Sequence, residues 1–392
     1  MNPDLNPYSM GAGNPPPALT GRATQEQQFK TLLARLRGGL SDRGMIVSGL
    51  RGVGKTVLLL EFEDIAKDAG WTVPRPIEIK SDTDFRSELA DAAYQALLQL
   101  SSRHALGDRI KSFTKLLRGF KVGASSDGNL EFSFDPNALG GSSGNLERDL
   151  TNLFEQLGQV VREHETGVVF LVDEMQFLAR EELEAMAAAM HRMSQTMLPV
   201  TLVGAGLPQL PGLMVDAKSY AERLFAYPKL GPLSEDAACQ ALAMPAEERN
   251  VYWNEDALAL IVGESGCYPA FIQAYCKEAW NHATGSPIRL SDVVAAESLI
   301  LTQLDQEFFH VRFEKATDRE REYMAAMADL GEGPYRTAMI AERLGRRLSY
   351  TSAPRDALIK KGLIYSPEYG QVDFTVPRFS PFMRRRYPLQ AS

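Results

Sequence analysis

The sequence predicts an α/β fold, in which a parallel β-sheet carries helices on both faces and is followed by an all-helical segment and a small C-terminal unit. Three observations lead there. Short apolar strands alternate with helix-length periodic segments up to about Phe225. The stretch Gly49–Thr56 fits the pattern GxxxxGK[ST] between a strand and a helix. From Ser234 to Phe309 the pattern is helical throughout, and after Arg312 the charge balance changes sign.

Taken in order, residues 1–20 are rich in Pro, Gly and Asn without a period and predict an extended N-terminal arm. A helix is expected from Thr24 to the Gly38-Gly39 pair, then a strand at Met45–Val47 and a helix over VLLLEFEDIAKDAG. Val73–Ile79 holds Pro74 and Pro76, which suits an edge or irregular strand. Residues 84–115 are helical in pattern. Alternation on both sides of Asp127-Gly128 then signals a hairpin, and a Gly/Ser loop follows from Asn137 to Asn145. A helix over Leu146–Glu165 leads into the apolar strand GVVFLVDE. Beyond it come a helix (Arg180–Met197), a strand (Pro199–Val203) and a short helix ending near Phe225. After residue 311, helices over Asp318–Leu330, Thr337–Leu344 and Tyr350–Lys361 precede a hairpin, LIYSPEYGQVDFTV. The expected organisation is thus an arm (1–20), a core (21–232, with an insertion at about 100–145), a helical lid (233–310) and a C-terminal domain (311–392).

Composition narrows the classes. A net charge of −8 argues against a chain coated in positive charge, yet residues 312–392 carry 15 Lys/Arg against 10 Asp/Glu, a net of +5, leaving −13 for the rest. Cys239, Cys267 and Cys276 are odd in number and lack CxxC spacing, so neither a disulfide framework nor a zinc site is indicated. The five histidines lie far apart, and no HExxH pair exists. No apolar run approaches ~18 residues, and the first residues lack a basic and an apolar signal region. The expectation is a cytoplasmic protein without membrane partners.

The phosphate chemistry follows from the spacing. Glycines at 49, 52 and 54 let backbone amides turn inward around phosphate oxygens, and the helix behind them adds its positive end. Gly49, Gly52, Val53, Gly54, Lys55, Thr56 and Val57 are the expected nucleotide contacts; Lys55 reaches the outer phosphates, and Thr56 offers its hydroxyl to Mg²⁺. Asp173, at the end of GVVFLVDE, supplies the second Mg²⁺ residue, and Glu174 the base for an attacking water. Lys55 and Glu174 are therefore catalytic candidates, with ATP and Mg²⁺ as ligands.

These two motifs, in the order strand, phosphate loop, strand, acidic strand, strand, helical lid, resemble a P-loop NTPase of the AAA+ class, nearest to the bacterial origin-recognition and STAND-like ATPases. The resemblance spans roughly Pro17 to Pro388. It implies that Gly21-Arg22 packs beside the adenine, that Arg223 in SYAERLF is an arginine finger acting on a neighbouring subunit, and that Pro269 in GCYP touches the nucleotide. An ATP-dependent homo-oligomer is part of that implication. Two departures stand out. The strand ending at Val203 has no polar residue after it until Gln209, and Pro269-Ala270-Phe271-Ile272-Gln273 occupies the place of the family's lid arginine.

The C-terminal elements read as a winged helix. Its third helix, with the approach to it, holds Arg346, Arg347, Arg355, Lys360 and Lys361 as expected phosphate contacts on double-stranded DNA. Tyr350 and Ser352 would lie near bases, and Arg384-Arg385-Arg386 would add to the same face. The alternative leaves the winged helix structural, in a signalling or defence switch that assembles or recruits a protein partner. Met186, Met190, Met193 and Met197 suit core packing better than a partner groove. Phe132 and Phe134 in the hairpin are a candidate contact element, while Trp71, Trp253 and Trp280 are scattered.

Overall fold

The computed structural model describes residues 1–11, 16–80, 82–101, 120–124, 130–134 and 145–389. Its centre is a parallel sheet in the order β2 (Ile77–Glu78), β5 (Val168–Asp173), β6 (Val200–Gly206), β1 (Gly44–Gly49), with β7 (Phe225–Ala226) and β8 (Lys229–Leu230) both against β1. The proline-broken strand therefore does lie at an edge, with a further bridge from Thr72 to Val168.

Period-two alternation sorts the two faces. Met45, Val47, Val169, Leu171, Val203 and Ala205 point to the helices Ala23–Arg37 and Lys55–Asp68. Ile46, Val168, Phe170, Val172, Val200 and Leu202 point the other way, to the helices Phe85–Ser101, Leu146–Glu163 and Arg180–Thr196. Met186, Met190 and Met193 are buried on that second face, as core packing requires, while Met197 ends the helix exposed. Arg86 and Asp149 form a buried ion pair between two of its helices. Trp71 fills the space beside Gly167, where any Cβ would lie 2.1 Å from its ring.

The insertion contains an antiparallel hairpin of β3 (Phe120–Ala124) and β4 (Leu130–Phe134). Its turn at Asp127-Gly128, the helix beyond Ser101, the loop 137–144 and the side chains of Phe132 and Phe134 lie outside the described residues.

Four helices follow the core, Glu235–Glu247, Glu255–Ser265, Pro269–His282 and Leu290–Gln303, and a π-helical turn, Leu304–His310, ends the segment. The C-terminal unit runs helix Asp318–Asp329, strand β9 (Tyr335–Arg336), helices Thr337–Arg343 and Leu348–Lys360, then β10 (Ile364–Tyr365) and β11 (Gln371–Phe374). Its sheet order is β10-β11-β9. Strand β9 and the closing helix Phe379–Arg386 escaped the sequence pattern because one is two residues long and the other is dominated by arginines.

Packing joins the units that the sequence distinguishes. One apolar cluster links the lid helices to the C-terminal unit across residue 310. Phe309 stacks on Phe382 at 5.2 Å, and Phe313 on Tyr387 at 3.6 Å. The N-terminal arm is not simply extended. A 3-10 turn at Pro3–Leu5 leads to Tyr8, which is buried against the rings of Trp253 and Trp280, and Asn6 donates to Lys277 O at 2.9 Å. Burial of the Tyr8 ring against two tryptophans offsets part of the entropy lost on ordering and seats the arm on the lid.

Candidate nucleotide site

Strands β1 and β5 flank β6, and their registers place Met45 and Leu171 at the same level, both opposite Val203. The loop after β1 and the carboxylates ending β5 therefore emerge together at the carboxyl edge of the sheet, where open α/β sheets bind ligands. Thr56 Oγ1 donates to Asp173 Oδ2 at 2.6 Å across 117 residues of sequence. Lys55, buried, donates through Nζ to the carbonyls of Gly49 and Leu50 at 3.0 Å each.

Glycines shape the loop backbone. Gly52 and Gly54 have φ of +79° and +92°, which L-residues with a Cβ adopt only under strain. The first intrahelical bond runs from the Leu58 amide to Gly54 O at 3.0 Å, so the amides of Lys55, Thr56 and half-buried Val57 precede the helical ladder. These free donors and the paired Thr56 and Asp173 fit a Mg²⁺–nucleotide. No group of three or more His, Cys, Asp or Glu side chains suited to a metal alone occurs among the described residues. A Mg²⁺ here would need phosphate oxygens and water to complete its shell.

Glu174 takes a left-handed backbone conformation, φ +56°, at the end of β5. Its carboxylate accepts from Arg51 Nη1 at 3.3 Å and from Gln176 Nε2. Gln176 Oε1 in turn accepts the Leu207 amide at 2.9 Å, linking Glu174 to the end of β6. Gln209, the first polar residue after β6, stands at the N-cap position of the helix Leu210–Ala217 without a side-chain cap bond, and its buried Oε1 has no hydrogen-bond partner. Burial dominates the titration of both central groups. It raises the Asp173 carboxyl above its usual range, against the Thr56 hydrogen bond, and it brings the Lys55 ammonium down to about 8.

Arg22 reaches the loop backbone. Its buried Nη2 donates to Val53 O and Gly231 O, both at 3.0 Å, so it braces the loop backbone. Pro269 opens a lid helix whose Ala270 amide donates to Gly52 O at 3.2 Å. Arg223 lies exposed on the short helix Ala221–Leu224 next to edge strand β7, and no ion pair to Glu222 forms.

The C-terminal cations are not the uniform face the sequence suggested. Lys361 Nζ pairs with the buried Glu320 carboxylate at 2.7 Å, and Arg355 pairs with Asp356 at 2.8 Å. Arg385 and Arg386 both hold the buried Asp305, at 2.7 and 3.0 Å, and Arg384 holds Glu332 at 3.0 Å. Lys361, Arg385 and Arg386 thus meet buried carboxylates, whereas Arg355 and Arg384 pair with exposed ones. Arg346, Arg347 and Lys360 remain exposed; Arg346 lies 5.1 Å from the ring of Tyr350, itself 54% exposed.

The parallel sheet core with its helices has a P-loop NTPase fold. Residues 18–203 match the family described as AAA ATPase domain, and residues 306–383 match a domain of unknown function, DUF8462. Among solved structures, the Walker-type ATPase PABY2304 of Pyrococcus abyssi is similar at TM-score 0.57 and 17% identity, over 93% of this chain and 96% of that one. The Aeropyrum pernix ORC1 protein in complex with DNA gives TM-score 0.46 at 17% identity, covering 95% and 94%. The Thermotoga maritima RuvB Holliday junction branch migration motor gives 0.45 at 15%, covering 90% and 92%. No curated protein matches the sequence. No helix among the described residues is long and apolar enough to cross a membrane.

Proposed function

We propose that this chain binds Mg²⁺–ATP at the phosphate loop, hydrolyses it, and acts as a nucleotide-dependent switch whose output is the C-terminal unit. The observation that carries this reading is the Thr56–Asp173 hydrogen bond, with Lys55 and Glu174 the next residue along on either side. The amides of Gly52 to Val57 hold the phosphates, and Lys55 exchanges its loop carbonyls for phosphate oxygens. Thr56 and Asp173 hold Mg²⁺, which when bound neutralises charge on the outer phosphates. Glu174 receives the proton of the attacking water at its carboxylate, while Arg51 and Gln176 hold that carboxylate in place. Comparing ATP turnover of the wild type and Glu174→Gln tests this. A fall of about 10²-fold or more with nucleotide binding retained is expected, and equal, negligible rates would defeat it.

The switch reading draws support from the seating of the C-terminal unit on the site, because the Arg51 amide donates to Thr375 O at 2.9 Å. In this reading Arg223 completes the site of a neighbouring copy in an ATP-dependent homo-oligomer, and the released unit recruits a protein partner. A DNA-directed output is the second reading, in which the C-terminal unit is a winged helix. Exposed Arg346 and Arg347 at the start of the helix Leu348–Lys360 favour it. Duplex binding at two salt concentrations separates the two. A salt slope that falls in the Arg346→Ala/Arg347→Ala double variant supports DNA, and no binding at low salt supports the switch alone.

A further inference from the structure

Arg312 stands at the junction between the π-helical turn and the C-terminal unit, and neither the family matches nor the motifs assign it a role. The turn presses Phe308 onto the phosphate loop, so that a Cβ on Gly52 would lie 2.9 Å from the Phe308 ring. The Arg312 guanidinium stacks over the same ring, with Cζ 4.4 Å from its centroid, and Nη1 donates to Phe308 O. Phe308 is thus the spacer between the loop and a half-buried cation.

That cation has no carboxylate within ion-pair distance among the described residues. Arg321, Arg378, Arg385 and Arg386 from the same part of the chain all have one. The charged groups that act on Arg312 are Arg51 and Glu174, both at the mouth of the loop, and Glu174 is already paired with Arg51. Burial first, and Arg51 second, bring its titration down to about 10. At the loop the cations Lys55 and Arg51 face the carboxylates Asp173 and Glu174, and Arg312 adds a third positive charge nearby. Burying a charge without a partner is costly, and a planar guanidinium with free N–H donors suits phosphate oxygens in pairs.

We propose that Arg312 is a nucleotide-contact residue, which delivers its guanidinium in cis to the terminal phosphate of a bound nucleoside triphosphate. The inference rests on the nucleotide reading above. Phe308 packs between Gly52 and Arg312, and Glu174, the proposed acceptor of the water proton, acts on the Arg312 charge, so the contact is assigned to the terminal end of the phosphate chain. The contact is therefore made with a triphosphate and lost with a diphosphate. Because Arg312 also begins the C-terminal unit, the same contact would tie that unit's position to the nucleotide.

The test is equilibrium binding of fluorescent ADP and a fluorescent non-hydrolysable ATP analogue to wild type, Arg312→Ala and Arg312→Lys. Arg312→Gln is the fallback if the Ala variant loses its cooperative thermal transition. A loss of about tenfold or more in analogue affinity is expected for Ala or Gln, with ADP affinity within about twofold and partial recovery with Lys. Equal losses for both nucleotides, or none, would overturn the assignment while leaving the nucleotide site intact. A wild type that binds neither nucleotide overturns the nucleotide reading and this one with it.

Discussion

The Arg51 amide, inside the phosphate loop, donates to the carbonyl of Thr375 at 2.9 Å, more than three hundred residues further along the chain. Gly362 completes the contact. Its φ is +64°, and a Cβ there would lie 3.1 Å from both Arg51 Nη2 and Leu207. The loop that would hold the nucleotide and the C-terminal unit are therefore in direct contact.

That contact predicts a local change in hydrogen exchange. Gly362→Val introduces both backbone strain and overlap, which should part the seam. The phosphate-loop peptide is expected to exchange about tenfold faster or more, with peptides from β5 and β6 unchanged. Unchanged exchange in the loop would mean that the bond does not protect it.

If the proposed nucleotide site is right, Lys55 makes binding depend on pH. Its folded value of about 8 lies below the ordinary 10.5, so between these the unfolded chain binds more protons and the free protein gains stability as pH rises. Phosphate binding needs the charged ammonium, so affinity should move the opposite way. A loss of up to about tenfold per pH unit is expected above pH 8, with proton uptake on binding seen calorimetrically in buffers of different ionisation enthalpy. Flat affinity between pH 8 and 10 would contradict the position of Lys55.

Asp173→Asn separates the metal from the phosphates. The amide keeps the shape and can still meet the Thr56 hydroxyl, but it removes the charge. Nucleotide affinity without Mg²⁺ should be unchanged or improved, and the gain produced by Mg²⁺ should shrink about tenfold or more. Titrations with Mg²⁺ and with EDTA read this directly.

Asp305 anchors the closing helix Phe379–Arg386 through Arg385 and Arg386. Asp305→Ala leaves two arginines that are half exposed and can hydrate, so the cost should be about 1–2 kcal/mol rather than that of a fully buried pair. Arg385→Ala alone should cost less, because Arg386 still meets the buried carboxylate. Urea denaturation of both variants provides the comparison.

Gly49–Thr56, the strand ending in Asp173-Glu174 and the alternation of strands and helices were legible because each is local. A phosphate loop is made by consecutive amides, and a buried parallel strand is a continuous apolar run. The charge of the last residues was legible too, but its use was not. Whether Arg346 is free and Arg385 spent depends on which carboxylates lie across the fold, and Asp305 is 80 residues from Arg385. Gln176 gave no signal because a glutamine after an acidic strand is unremarkable until the Leu207 amide is beside it.

By itself, the sequence determined a parallel α/β core with a phosphate loop and two carboxylates at its carboxyl edge, since local periodicity and spacing specify both. Only the tertiary structure decided that Arg22 braces the loop backbone, that lid and tail share one apolar cluster, and that Phe308 and Thr375 reach the loop after β1. Contacts between distant segments are chosen by the packing of whole faces, and no short stretch of sequence encodes them.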